Sequence, residues 1–110
     1  MDATRNSGRV RYDAWRDRIL IEAPAGSMEI RFRWRNTTFL WRGRTYRFTS
    51  TIWGRVAILD GMVPVVEGRS TWIGVRLSSV GAEFTGIQRE LAVGLAKRSE
   101  AMVALIIAAH

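Results

Sequence analysis

The sequence predicts a mainly β domain that ends in one long helix, an α+β chain in which a curved or closed, barrel-like antiparallel meander encloses a hydrophobic C-terminal helix. Three observations predict it. In MEIRFRWR, Met28, Ile30, Phe32 and Trp34 alternate with Glu29, Arg31, Arg33 and Arg35. At helical geometry a period of two scatters apolar groups around the axis, so only a strand with one buried face fits. Turn residues recur at short intervals, at Pro24-Ala25-Gly26-Ser27, Arg42-Gly43, Asp60-Gly61 and Gly68-Arg69-Ser70, the spacing of a meander rather than of βαβ units. From about residue 85 the apolar period lengthens to that of a helix.

Taken in order, residues 1–8 carry no periodic apolar pattern and read as a flexible tail ahead of a single domain over 9–110. GRVRYDAWR and RILIEA are two short strands, with Trp15-Arg16-Asp17-Arg18 as the bend between them. After MEIRFRWR, Asn36-Thr37 turns the chain. Phe39 and Trp41 lead into the tight Arg42-Gly43 hairpin, and Tyr46 and Phe48 return from it. Thr51 to Leu59 is expected as a strand with Ile52, Val56 and Ile58 on one face and Gly54 at a bulge or close backbone approach. MVPVVEG is expected at an edge or bulged position because Pro64 cannot donate to a ladder. A further strand carries Thr71, Ile73, Val75 and Leu77 on one face.

The helix is expected over about 85–109, opened by a capping box of Thr85 and Gln88. Ile87, Leu91, Leu95, Met102, Leu105 and Ile106 fall on one side, and Arg89, Glu90, Lys97 and Glu100 opposite. From Ala101 to Ala109 every residue is apolar, so this segment is expected to be enclosed on all sides. It does not read as a membrane span, since Lys97-Arg98-Ser99-Glu100 interrupts the run well short of about 20 apolar residues. Arg98 falls within the apolar stripe, where it either reaches past the edge or marks a kink.

Composition limits the chemistry. The chain holds 110 residues with a formal net charge of +7, and no cysteine. Thiolate chemistry, disulfides and cysteine-ligated metal are thereby excluded. Its one histidine is the final residue, where nothing fixes the ring as a general base. No phosphate-binding glycine motif stands between a strand and a helix. The expectation is a protein that is not an enzyme, with no catalytic residue, no cofactor and no metal. The polar start does not read as a secretory signal, and the expected location is cytoplasmic, peripheral at the membrane.

The charge is one-sided. Residues 1–55 hold 12 Arg and 5 acids, whereas residues 56–110 hold 4 Arg, 1 Lys and 5 acids. Arginine favours planar, bidentate contacts with phosphate or carboxylate. In RFRWRNTTFLWRGRTYRF the aromatics Phe32, Trp34, Phe39, Trp41, Tyr46 and Phe48 read as core, and the arginines as the outer face. Like charges side by side on a hairpin repel by some tenths of a kcal/mol per pair, and only Glu29 is available locally to offset them.

FLWRGRTYRF on a meander, then AILDG, then the Trp-containing STWIGVRL, then a hydrophobic C-terminal helix, resembles the tubby C-terminal-like superfamily. The likeness is to its LURP-one-related branch, with which the phospholipid scramblases are grouped. The resemblance implies a barrel around a central helix, here in a reduced-length member that closes with fewer strands or with a second copy. It also implies binding of anionic phospholipid headgroups through basic residues outside the barrel. By position on the matching hairpin these are Arg31, Arg33, Arg35, Arg42, Arg44 and Arg47, with a Trp such as Trp41 or Trp53 entering the interface. The residues alone leave two alternatives open. One is a self-assembling subunit, or one covered by an acidic protein partner; the other is a small β-barrel that binds nucleic acid.

Overall fold

The computed structural model describes residues 8–71 and 73–109, so most of the expected tail, Trp72 and His110 lie outside the described residues. Among the described residues eight strands precede the helix. β1 (Arg9–Asp13), β2 (Arg18–Ala23) and β3 (Gly26–Arg31) form one antiparallel sheet. The second, five-stranded sheet holds β4 (Thr37–Trp41), β5 (Arg44–Ser50), β6 (Arg55–Asp60), β7 (Val63–Thr71) and β8 (Gly74–Val80) in chain order, all antiparallel. A 3-10 turn over Ala82–Ile87 leads into the helix α1 (Gln88–Ala108). The helix packs against β8 on one side and β1 and β2 on the other, filling the gap between last and first strands. No closed barrel is found among the described residues; the strands form two sheets.

Alternation dictates which side chains fill the core. Ile19 and Ile21 on β2, Met28 and Ile30 on β3, Phe39 and Trp41 on β4, and Tyr46 and Phe48 on β5 all point inward. Phe84, fully buried in the 3-10 turn, is ringed by Tyr46, Trp41 and Phe39, with centroids 4.9, 6.3 and 6.4 Å away. Aromatic pairs in such geometries gain about 0.5–1.5 kcal/mol beyond their buried area. The Trp41 indole N–H donates to the Glu83 carbonyl at 2.7 Å, which ties β4 to the start of the helix. Ile87, Leu91 and Leu95 supply the helix's share of the core. Gly94 lets α1 approach β2 closely, for a Cβ there would lie 2.6 Å from the Ile19 Cγ2.

Several sequence expectations are corrected. The MEIRFRWR strand stops at Arg31, where its partner β2 begins at Arg18. Phe32 is still buried, but Trp34 falls in the connection to β4 and is 95% exposed. Ile52 belongs to a turn, not to β6, and is exposed. Gly54 does mark a close backbone approach, with its carbonyl accepting the Ser70 N–H at 2.7 Å. Gly68-Arg69-Ser70 lies inside β7, because an irregularity between Glu67 and Gly68 absorbs the glycine; the true turn follows Thr71, leaving Ile73 exposed. β7 is not an edge strand, but of the two positions expected for Pro64 the bulged one holds: it pairs with Leu59 beside a register shift, beyond the reach of β8.

At the helix, Thr85 donates to the Ala82 carbonyl and no side chain caps α1, so the capping box does not form. Nor is α1 kinked into two: it runs unbroken from Gln88 to Ala108. The largest departure is its second half. Val103, Leu105, Ile106 and Ile107 are exposed rather than enclosed, because the helix outlasts the sheets that cover Leu91 and Leu95.

Candidate functional site

An up-and-down meander puts alternate connections at the same end of the fold. The β1–β2, β3–β4, β5–β6 and β7–β8 connections share one end, and α1 starts at the other and runs back toward them. Direct contacts fix this arrangement. The Arg98 guanidinium grips Asp17 of the β1–β2 turn, Nε to Oδ1 at 2.9 Å and Nη2 to Oδ2 at 3.2 Å. It also lies 4.0 Å over the ring of Phe32, which opens the β3–β4 connection. Ser99 meets Ser70 of β7 at 3.3 Å. A cleft of about 180 Å³ separates this part of the helix from Thr51, Ile52 and Gly54 of the β5–β6 turn.

Asp17 is itself held from two sides. It accepts the Tyr12 hydroxyl at 2.6 Å, and its backbone carbonyl accepts the Phe32 N–H at 2.9 Å. Its φ of 49° closes the β1–β2 turn in a conformation that aspartate tolerates better than most side chains. Burial, reinforced by the bond to the Asp17 carboxylate, pushes the Tyr12 hydroxyl up to about 12. Arg98 is therefore no misfit. It extends past the apolar stripe to lock the helix onto two connections.

Beyond this lock the end becomes apolar. Trp15 in the first connection, Trp34 in the second and Trp53 in the third are 94%, 95% and 81% exposed. Ile52 and Ile73 extend the same surface at the third and fourth connections. The exposed segment of α1, with Leu105 62% and Ile107 69% accessible, continues outward from the same end. Arg33, Arg35 and Arg55 flank the tryptophans, are exposed, and make no ion pair with a described residue. Arg16 and Arg18 nearby are paired with Asp13, and Arg18 also with Glu29.

The arginines expected to form one face are dispersed. Arg33 and Arg35 reach the apolar end, while Arg31 lies on the outer side of β3. Arg42 and Arg44 sit at the opposite end, beside the β4–β5 hairpin. The guanidinium of Arg42 covers the Trp41 ring at 5.2 Å and bonds the Ala25 carbonyl, and that of Arg44 is paired with Asp60 at 2.9 Å. Arg47 is half-buried on the outer side of β5, its Nε without a partner. Trp41 is in the core, 2% exposed, so it does not enter any interface. Trp53 is available for one. Sequence reasoning overlooked Trp15 and read Trp34 as core. The signal was their setting: both stand beside turn residues, Asp17 and Asn36, whose φ is positive.

No three His, Asp or Glu side chains converge to hold a metal among the described residues. No helix there is long and apolar enough to cross a membrane. Compared with known proteins, the chain matches no family model, no curated protein and no solved structure.

Proposed function

We propose that this protein is a non-enzymatic binding module that docks on anionic phospholipid surfaces through the end bearing Trp15, Trp34 and Trp53. One observation carries the reading: exposed tryptophans on separate connections share one end with an uncovered apolar helix segment, among unpaired arginines. Tryptophan favours the headgroup boundary, where its ring is half apolar and its N–H stays hydrated. Arginine beside it meets the lipid phosphates. The nine residues from Ala101 to Ala109 rise about 14 Å, roughly half of the about 30 Å hydrocarbon core. That length suits insertion into one leaflet. The resemblance to the tubby-like superfamily points to the same class of ligand.

The test is sedimentation with vesicles of phosphatidylcholine alone and with added phosphatidylglycerol. Binding is expected only with the anionic lipid and falls as salt rises. Each arginine near such a surface contributes about 1 kcal/mol, so Arg33→Glu with Arg35→Glu weakens partitioning by about thirtyfold or more. Trp15→Ala, Trp34→Ala and Trp53→Ala together remove it. Equal binding to neutral vesicles, or none at low salt, contradicts the reading. A stable oligomer in light scattering that ignores vesicles favours a self-assembling subunit, and salt-sensitive oligonucleotide binding without vesicle binding favours a nucleic-acid role.

A further inference from the structure

The five-stranded sheet carries a second basic feature on its outer side. Arg55 on β6 is the direct partner of Arg69 on β7, and Arg69 is the direct partner of Arg76 on β8. All three line one concave pocket of about 1070 Å³ together with Thr49, Thr51 and Glu67. Adjacent strands lie about 4.8 Å apart, so three guanidinium groups are set side by side across roughly 10 Å. Like charges placed opposite each other destabilise a sheet. None of the three makes an ion pair with a described residue, Glu67 included. Around them are hydroxyls with a proton to give: Thr51 Oγ1 accepts the backbone N–H of Arg55 at 3.2 Å, leaving its own O–H free to donate.

The arrangement states what it lacks. Three guanidiniums and one carboxylate leave the pocket with a charge of +2. A phosphomonoester dianion neutralises that charge, and its terminal oxygens match the forked donors of arginine. A phosphodiester carries half of it. We propose that the outer face of β6, β7 and β8 is a binding site for a phosphomonoester, held by Arg55, Arg69 and Arg76 with hydroxyl donors from Thr49 and Thr51. The site borders the tryptophan end, sharing Arg55 with it, but Trp15, Trp34 and Trp53 do not line it, and it does not depend on the membrane reading. It lies only two residue pairs, Ser70 with Val75 and Thr71 with Gly74, from the β7–β8 turn. A phosphomonoester on a lipid headgroup and one on a free metabolite are therefore both within reach.

Titration of the full chain with glycerol 3-phosphate, followed by amide NMR, is the direct experiment. Saturable shifts are expected at Thr51, Arg55, Arg69 and Arg76, and the ligand raises the melting temperature. Arg69→Ala weakens binding by at least about tenfold, as loss of a charged hydrogen-bonding partner does, while its unliganded melting temperature holds or rises. Glu67→Gln strengthens binding. Trp15→Ala with Trp34→Ala and Trp53→Ala leaves it unchanged, which separates this site from vesicle docking. Vesicles containing phosphatidic acid, set against phosphatidylglycerol, identify the source. A preference for phosphatidic acid that Arg69→Ala abolishes assigns a lipid headgroup, and soluble binding without that preference assigns a free metabolite. Absence of saturable shifts at these residues, or shifts that persist in the Arg55→Ala, Arg69→Ala, Arg76→Ala variant, overturns the site.

Discussion

Arg98 shows how a single charged side chain can hold two parts of a small fold together. Its bidentate bond to Asp17 and its place over Phe32 join the helix to the β1–β2 and β3–β4 connections. The pair is about a quarter exposed, so its worth is that of a partly screened ion pair plus a cation–π contact, about 2 kcal/mol. Arg98→Ala is expected to lower stability by about that amount in urea denaturation. Tyr12 adds a pH dependence. Its hydroxyl is raised in the folded chain to about 12, above the ordinary 10, so the neutral phenol is favoured by folding. That stabilisation is complete below pH 10 and is lost as pH rises toward 12. Tyr12→Phe is expected to remove this alkaline component of the unfolding profile. The sequence placed Arg98 in an apolar stripe but did not name its partner, which lies 81 residues away. Contacts of that range are set by topology.

The strands were largely legible because a buried face imposes a period of two, and a slip of one residue reverses every side chain. What blurred was where alternation continues past the hydrogen-bonded ladder. Phe32 and Trp34 belong to one alternating run, yet the first is core and the second is solvent-facing, since β2 provides no partner beyond Arg18. The β7–β8 hairpin was misplaced because Gly68 and Gly74 are both plausible turn residues. Only Gly74, at a φ of 141°, takes a conformation that disfavours other residues. The helix divides likewise. Its first half sends Ile87, Leu91 and Leu95 into the core as the pattern requires, but Glu90, expected on the opposite face, is buried too; its second half has no wall to meet. Truncation after Glu100 is expected to leave the melting temperature of the free protein within a few degrees, because Leu91 and Leu95 remain, while vesicle partitioning falls at least about tenfold. Circular dichroism and sedimentation on the same variant check both parts.

At the scale of the whole molecule, the surplus charge does not form one positive skin. Arg42 and Arg44 are engaged locally at one end, Arg33, Arg35 and Arg55 stand free at the other, and Arg55, Arg69 and Arg76 form a row on an outer face. The excess of arginine in the first half of the chain was legible in the sequence. Its distribution was not, because which residues share an end depends on strand order. The resulting asymmetry, with apolar rings and free cations at one end, is what would orient the protein on a charged bilayer in the proposed docking.

Fluorescence quenching by brominated lipids tests that orientation most directly. In phosphatidylglycerol vesicles with bromine near the headgroup end of the acyl chain, emission from Trp15, Trp34 and Trp53 is predicted to shift to the blue and be quenched. A variant with these three and Trp72 changed to Phe, whose emission comes from buried Trp41 alone, is predicted to show neither effect. Unquenched emission in the unaltered protein bound to such vesicles, or quenching that persists in the variant, would contradict docking by this end.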